Sequence, residues 1–200
     1  TAPVYGLGLA EEIVGKAIAG RRDGVVLATK CGLVWPAGAT VSSVADEDVQ
    51  RCLRPDSICR EVEQSLRRLR TDRIDLYQVH WPDESTPIED TMSALLKLKS
   101  EGKVRAIGVS NVTVETLEAY RGAGPVETDQ EKYSMLDRGH EGDLLPYCRR
   151  NGIAVLGYSP LARGLLTGKI GPERRFAGDD LRQESRRFGA EGRMRVARML

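Results

Sequence analysis

Polar side chains that could carry chemistry recur along the sequence, each at the downstream end of a short apolar run. Val25-Val26-Leu27-Ala28-Thr29 runs into Lys30, and Ile74-Asp75-Leu76-Tyr77-Gln78-Val79 runs into His80. The run from Val104 to Val109 delivers Ser110 and Asn111, the weaker run Val126-Glu127-Thr128-Asp129 delivers Gln130, and the run from Ile153 closes on Tyr158 and Ser159. An ammonium and an imidazole can move or stabilise a proton, and hydroxyl and amide groups can grip a polar ligand. Each group has a plainer role when taken singly. Lys30 can be a solvated strand end and His80 a hydrogen-bonded core residue. Ser110-Asn111 can cap the helix that follows, Tyr158 can be core packing, and the Gly164 to Gly168 stretch an ordinary flexible loop. Five such groups in series favour one shared site over five unrelated turns.

The elements that must position these groups alternate in type. Helical spacing places Ile13, Val14, Ala17 and Ile18 on one face of residues 10–19, and Ile58, Val62, Leu66 and Leu69 on one face of residues 57–69. Residues 87–100 carry Ile88, Met92, Leu95, Leu96 and Leu98. Thr113-x-x-Thr116 gives a helix start before Val114, Leu117 and Tyr120, and Asn151-Gly152 stops a helix over 143–150. Strands alternating with helices predict an α/β fold with a parallel sheet. Near-continuous apolar strands predict that both sheet faces are covered. An open doubly wound sheet and a closed barrel compete. No G-x-G-x-x-G follows any strand, which weakens the open dinucleotide-binding sheet. In a barrel the C-terminal strand ends converge on one mouth, where catalytic groups sit. The sequence therefore predicts a (β/α)8 TIM barrel. Five strands are legible, so residues 1–200 read as one partial barrel domain lacking the first strands and the last. The insertion from Val34 to Pro55 reads as overhanging the mouth.

The bulk properties narrow the partners. Thirty Lys and Arg against 29 Asp and Glu leave a net charge of +1, which gives no electrostatic case for nucleic acid or an anionic membrane. No apolar run approaches the ~20 residues that span a bilayer, and no basic-then-apolar leader opens the chain. Four cysteines without a C-x-x-C pair, and two histidines, argue against a metal site and against a disulfide framework. These features predict a cytoplasmic protein acting on a small molecule. They leave the oligomeric state open.

The motifs resemble a known family. Thr1-Ala2-Pro3-Val4-Tyr5-Gly6, Ala10-Glu11-Glu12, Ala28-Thr29-Lys30-Cys31, Leu76-Tyr77-Gln78-Val79-His80-Trp81-Pro82, the segment from Gly102 to Asn111, and the segment from Tyr158 to Lys169 are similar, in order, to the aldo-keto reductase superfamily. The likeness is closest to the bacterial long-loop branch related to general-stress reductases and potassium-channel β-subunits. The resemblance implies an NADPH-dependent oxidoreductase that reduces aldehydes and ketones to alcohols. It implies a catalytic Asp-Tyr-Lys-His tetrad, to which Tyr5, Lys30 and His80 correspond, with the Asp expected immediately before Thr1. Tyr5 would donate the proton, its pKa drawn down from ~10 by the nearby Lys30 ammonium. His80 would orient the carbonyl oxygen. Ser110, Asn111 and Gln130 would grip the nicotinamide carboxamide and Tyr158 would stack on its ring. Ser159, Pro160, Leu161, Gly164 and Lys169 would follow the pyrophosphate. The branch likeness also admits an NADPH-binding, redox-sensing module with little turnover.

Overall fold

A computed structural model of the chain describes residues 1–40, 48–178, 180–183 and 185–199. Seven strands and six α-helices are assigned among them. In order these are α1 (Leu9–Ala17), β1 (Ala28–Cys31), β2 (Leu33–Val34), β3 (Gln50–Arg51), α2 (Pro55–Leu69), β4 (Ile74–Val79) and α3 (Ile88–Ser100). Then come β5 (Val104–Ser110), α4 (Val114–Ala123), β6 (Thr128–Lys132), α5 (Leu144–Arg150), β7 (Ala154–Tyr158) and α6 (Ala190–Ala197). Strands β2 and β3 form a small antiparallel hairpin inside the predicted insertion, of which residues 41–47 lie outside the described residues.

The main sheet runs β1-β4-β5-β6-β7. The β1–β4, β4–β5 and β5–β6 ladders are parallel. Neighbours follow chain order without reversal, so there is no switch point of the kind that defines a doubly wound sheet. Each added strand extends the wall on the same side, as in a (β/α)8 barrel. The register places Lys30 beside Gln78, Gln78 beside Gly108, and Ser110 beside Gln130.

Two compact units are present. The first comprises Thr1–Glu131 and Gly142–Leu156, and the second Lys132–Glu141 and Gly157–Leu200. The core of the first unit lies between strands and helices. Tyr77, Val79, Ile107 and Val109 of the strands, and Val62, Leu69, Leu95 and Leu117 of the helices, are essentially inaccessible. Each such side chain contributes about 1.5–3 kcal/mol by burial. Helix α2 shows how local sequence sets its limits. Pro55 opens it with a preset φ, and Arg70 closes it in a left-handed conformation, its N–H donating to the Leu66 and Arg67 carbonyls. Helix α4 starts as expected, with the Thr116 N–H donating to Thr113 Oγ1 at 3.2 Å. The second unit has its own small apolar cluster of Ala162, Leu165, Phe188 and Val196.

Three apolar expectations fail, at Val26, Ile13 and Ala17, all of which are exposed. Val26 is 83% exposed and Ile13 is 56% exposed. Carboxylates take up the positions that apolar patterning assigns to these segments. The Leu27 N–H donates to Asp75 Oδ2 at 2.8 Å, so β1 begins at Ala28 and Val26 lies outside the sheet. Helix α1 buries Glu11 and Gly15 instead of Ile13. Glu11 is fully buried because Thr29 Oγ1 (2.6 Å) and Arg68 Nε (2.7 Å) both donate to its carboxylate. Gly15 permits this approach: a Cβ there would lie 2.5 Å from the Arg68 carbonyl oxygen and 2.8 Å from the Leu69 carbonyl carbon.

Candidate active site

Three of the predicted residues assemble at the C-terminal ends of β1 and β4. Lys30 sits within β1 and His80 directly follows β4, its N–H donating to the Cys31 carbonyl at 3.0 Å. Tyr5 lies in the turn before α1, its N–H donating to the Ala2 carbonyl at 3.2 Å and its carbonyl accepting from Ala10. The Lys30 ammonium lies over the Tyr5 ring, 5.4 Å from its centroid. The Tyr5 and His80 rings meet edge to face, with centroids 5.7 Å apart and planes at 87°. Such pairs favour one mutual orientation by about 0.5–1.5 kcal/mol.

Burial sets the electrostatics. It lowers Lys30 to about 8, so the side chain is still largely an ammonium at pH 7. Burial first, then the Lys30 charge, depresses His80 to about 4, which leaves a neutral imidazole able to donate one hydrogen bond. Tyr5 is 47% exposed, and burial of the remainder raises its phenol above 10. The expected downward pull of Lys30 on Tyr5 is not realised. The ammonium addresses the ring face and donates to the Thr1 carbonyl at 3.0 Å, so it does not bond the phenolic oxygen.

The amide and hydroxyl groups form a connected set beside this cluster. Asn111 has a left-handed backbone, φ 60°, which Asn tolerates better than most residues. Its Nδ2 donates to the His80 carbonyl at 2.9 Å and to Ser110 Oγ at 3.0 Å. Ser110 Oγ donates to the Gln130 carbonyl at 2.6 Å. Gln130 is held by a polar ladder inside the wall. Thr128 Oγ1 donates to Gln78 Oε1 at 3.2 Å, and Gln78 Nε2 donates to Gln130 Oε1 at 3.0 Å. The ladder commits the Gln130 side-chain oxygen. The Asn111 amide hydrogens and the Ser110 hydroxyl hydrogen are thus all engaged within the protein, which fixes the turn they share.

The remaining predicted residues lie in the second unit. Tyr158 ends β7, and Ser159 follows in a left-handed conformation with φ 54°. Pro160 and Leu161 lead into an irregular 3-10 segment (Ala162–Thr167) in which Ala162, Arg163 and Gly164 all have positive φ. The Ala162 N–H donates to the Ser159 carbonyl at 2.8 Å, and the Gly164 N–H to the Leu161 carbonyl at 2.9 Å. Lys169 is exposed, its N–H donating to Thr167 Oγ1 at 3.3 Å. A cavity of about 370 Å³ in this unit is lined by Tyr158, Ser159, Arg163, Arg186 and the Asp137 carboxylate, which pairs with Lys132 and Arg187 of the same lining.

Sequence reasoning missed the buried carboxylates behind these groups. Glu61 of α2 is buried, with the Gly32 N–H donating to its Oε2 at 2.9 Å and Ser57 Oγ to its Oε1 at 3.1 Å. It thereby fastens the chain two residues beyond Lys30. The available signal was positional: Glu61 falls on the same stripe as Ile58, Ser65 and Leu69, where a solvated acid would not be placed.

Comparison with known proteins places this geometry. The aldo/keto reductase family pattern matches residues 1–198. The chain is 47% identical over 190 residues to the aldo-keto reductase YhdN of Bacillus subtilis, covering 94% of this chain and 55% of that protein. It is 49% identical over 175 residues to the NADH-specific methylglyoxal reductase of Escherichia coli, covering 85% of this chain and 54% of that protein. The chain thus spans about half the length of the curated relatives it matches. A glycerol dehydrogenase structure from Gluconobacter oxydans superposes with a TM-score of 0.91 at 43% identity, covering 98% of this chain and 59% of that one. An aldo-keto reductase from Klebsiella pneumoniae in complex with NADPH superposes with a TM-score of 0.67 at 38% identity, covering 82% and 52%. These likenesses extend the barrel wall seen here to the TIM barrel. The chain belongs to the aldo/keto reductase family.

Proposed function

We propose that this chain carries the reducing centre of a nicotinamide-dependent oxidoreductase that converts small aldehydes and ketones to alcohols. The observation that carries the reading is the convergence of Tyr5, Lys30 and His80 within ring-contact distance at two strand ends. A bound NADPH supplies the hydride to the carbonyl carbon. The oxygen then needs a proton, and Tyr5, kept as a phenol at neutral pH, holds one to give. The Lys30 ammonium, over the ring face, would hold the Tyr5 ring in place for the transfer. The neutral His80 donates to the substrate oxygen and orients it without adding charge. Ser110, Asn111 and Gln130 would hold the carboxamide. The Tyr158 ring and the loop with Ser159, Pro160, Leu161, Gly164 and Lys169 would hold the nicotinamide face and the pyrophosphate. Relatives described as a methylglyoxal reductase and a glycerol dehydrogenase support a short oxygenated carbonyl as substrate. NADPH is the cofactor the family resemblance and the Klebsiella complex support, while the Escherichia coli relative is NADH-specific, so both cofactors enter the test.

The test is NADPH and NADH consumption with methylglyoxal and with an aromatic aldehyde, beside Tyr5→Phe. Turnover should fall by about 10²–10⁴ in the variant, the usual contribution of a positioned proton donor. Unchanged turnover in Tyr5→Phe would refute the assignment. Bound NADPH without turnover in either protein would move the reading to a cofactor-sensing module.

A further inference from the structure

The turn that offers Ser110 and Asn111 is held from behind by an acid pair to which no role has yet been given. Asp129 and Glu131 stand two apart on β6 and therefore share a face, opposite to Thr128 and Gln130. Both are buried, at 0% and 3% exposure. Glu131 Oε1 accepts the Val112 N–H at 2.8 Å, immediately after the left-handed Asn111. Asp129 Oδ2 faces the Cys148 thiol of α5, whose sulfur donates weakly at 3.8 Å. Asp129 Oδ1 is buried with no donor among the described residues, and its neighbour on the same buried face of β6 is the Glu131 carboxyl. Two carboxylates cannot bond each other, since each only accepts; with one proton between them the contact becomes O–H···O⁻ and the orphaned oxygen is accounted for.

Resting on the carboxamide-gripping role of Ser110 and Asn111, we propose that Asp129 and Glu131 share one proton. We further propose that this pair, through the Glu131 arm on the Val112 N–H, is the positioning element that fixes the Ser110–Asn111 turn for the nicotinamide carboxamide. The electrostatics agree. Burial, and then the Glu131 charge, push Asp129 up to about 8. The other titratable or charged groups around it are Cys148 of α5, itself pushed up to about 12 by burial, and Arg121 of α4. Arg121 is occupied by Tyr147 Oη at 2.7 Å and Asn151 Oδ1 at 3.0 Å, so it does not neutralise the pair. Asp129 keeps the proton, and the charge resides on Glu131, where it strengthens the bond to the Val112 N–H.

Three substitutions in the same chain test this, with readouts that do not depend on turnover. In a Glu61→Gln background, which removes the other buried acid held near neutrality, the infrared carbonyl band of a protonated carboxylic acid should be present at pH 7 and lost on adding Asp129→Asn. Asn can donate to Glu131 as the acid O–H did, so this variant should keep its NADPH affinity within about twofold. Glu131→Ala should speed amide hydrogen exchange at Val112, and weaken NADPH binding, each by about tenfold, the scale of one net hydrogen bond. Glu131→Gln, which restores an acceptor for Val112, should recover both. An unprotonated pair at pH 7, or Val112 exchange unchanged in Glu131→Ala, would overturn the proposal. If NADPH does not bind at all, the infrared and exchange results still decide the acid pair, while the carboxamide role alone fails.

Discussion

Gly108→Ala is the sharpest test of how the wall supports the site. Gly108 occupies β5 between Gln78 of β4 and Thr128 of β6, at one level of the register. A Cβ built there is driven into Thr128 Oγ1, with Gln78 Cγ at 3.0 Å and the Thr128 carbonyl oxygen at 3.1 Å. The φ of Gly108 is not in the left-handed region, so the objection is purely one of space. Overpacking costs about 1–3 kcal/mol. Displacing Thr128 Oγ1 also breaks its bond to Gln78, and through Gln78 loosens Gln130, at about 0.5–1.5 kcal/mol for each net bond. The sum is about 2–6 kcal/mol, which for a chain of this size lowers Tm by roughly 4–24 °C. NADPH affinity should fall as well, because the Gln130 amide is no longer pre-oriented. Thermal melts and cofactor titration measure both. A variant within about 0.5 kcal/mol of the parent, with unchanged affinity, would show that the ladder is incidental.

Other consequences follow from the buried charges. Glu11→Ala should cost about 3–5 kcal/mol, because it strips Arg68 of its partner in a largely buried setting, and Arg68→Met in the same chain should recover part of the loss, as urea melts would show. Acid and neutral pH pull stability in opposite directions. His80, held at about 4 against an unfolded value of 6.5, makes stability fall as pH drops from 6.5 to 4, since the unfolded chain takes a proton the folded one refuses. Glu61, held at about 7 against 4.5, makes stability fall as pH rises from 4.5 to 7, because the folded chain retains the proton longer. In pH-dependent urea melts, Glu61→Gln should therefore unmask a steeper loss on acidification than the parent shows; parallel curves would contradict the burial assigned to Glu61.

Much of the wall was legible from sequence. β4 matches its predicted span residue for residue and β5 differs by one residue, because Ile74–Val79 and Val104–Ser110 are largely apolar runs, broken only by Asp75, Gln78 and Arg105, and closed by polar groups. The Thr113 cap was readable because side-chain capping is a local event. The failures came where a distant carboxylate replaces an apolar contact. Nothing near Val26 reveals that Asp75, 48 residues beyond Leu27, will take the Leu27 N–H. Nothing near Ile13 reveals that Arg68 will draw Glu11 inward. The convergence of Lys30 and His80 needed a barrel to be assumed before spacing could suggest it, and Tyr5 was reached only through the resemblance to aldo-keto reductases. The orientation of Lys30 toward the ring of Tyr5 was beyond reach of spacing.

The Gln78–Gln130–Thr128 ladder has a consequence for how the chain finds its native alignment. Apolar strands buried on both faces are poorly protected against sliding, since Val, Ile and Leu are nearly interchangeable at neighbouring levels. A slip of one residue turns an amide outward among the helices, and a slip of two leaves it facing apolar neighbours with its hydrogen bonds unmade. Three polar side chains from β4 and β6 that bond only at one offset, with Gly108 leaving room between them, work as a vernier. The layer that presents an amide to a ligand also proofreads strand alignment, so substitutions there should produce misregistered, aggregation-prone chains as well as weak binders.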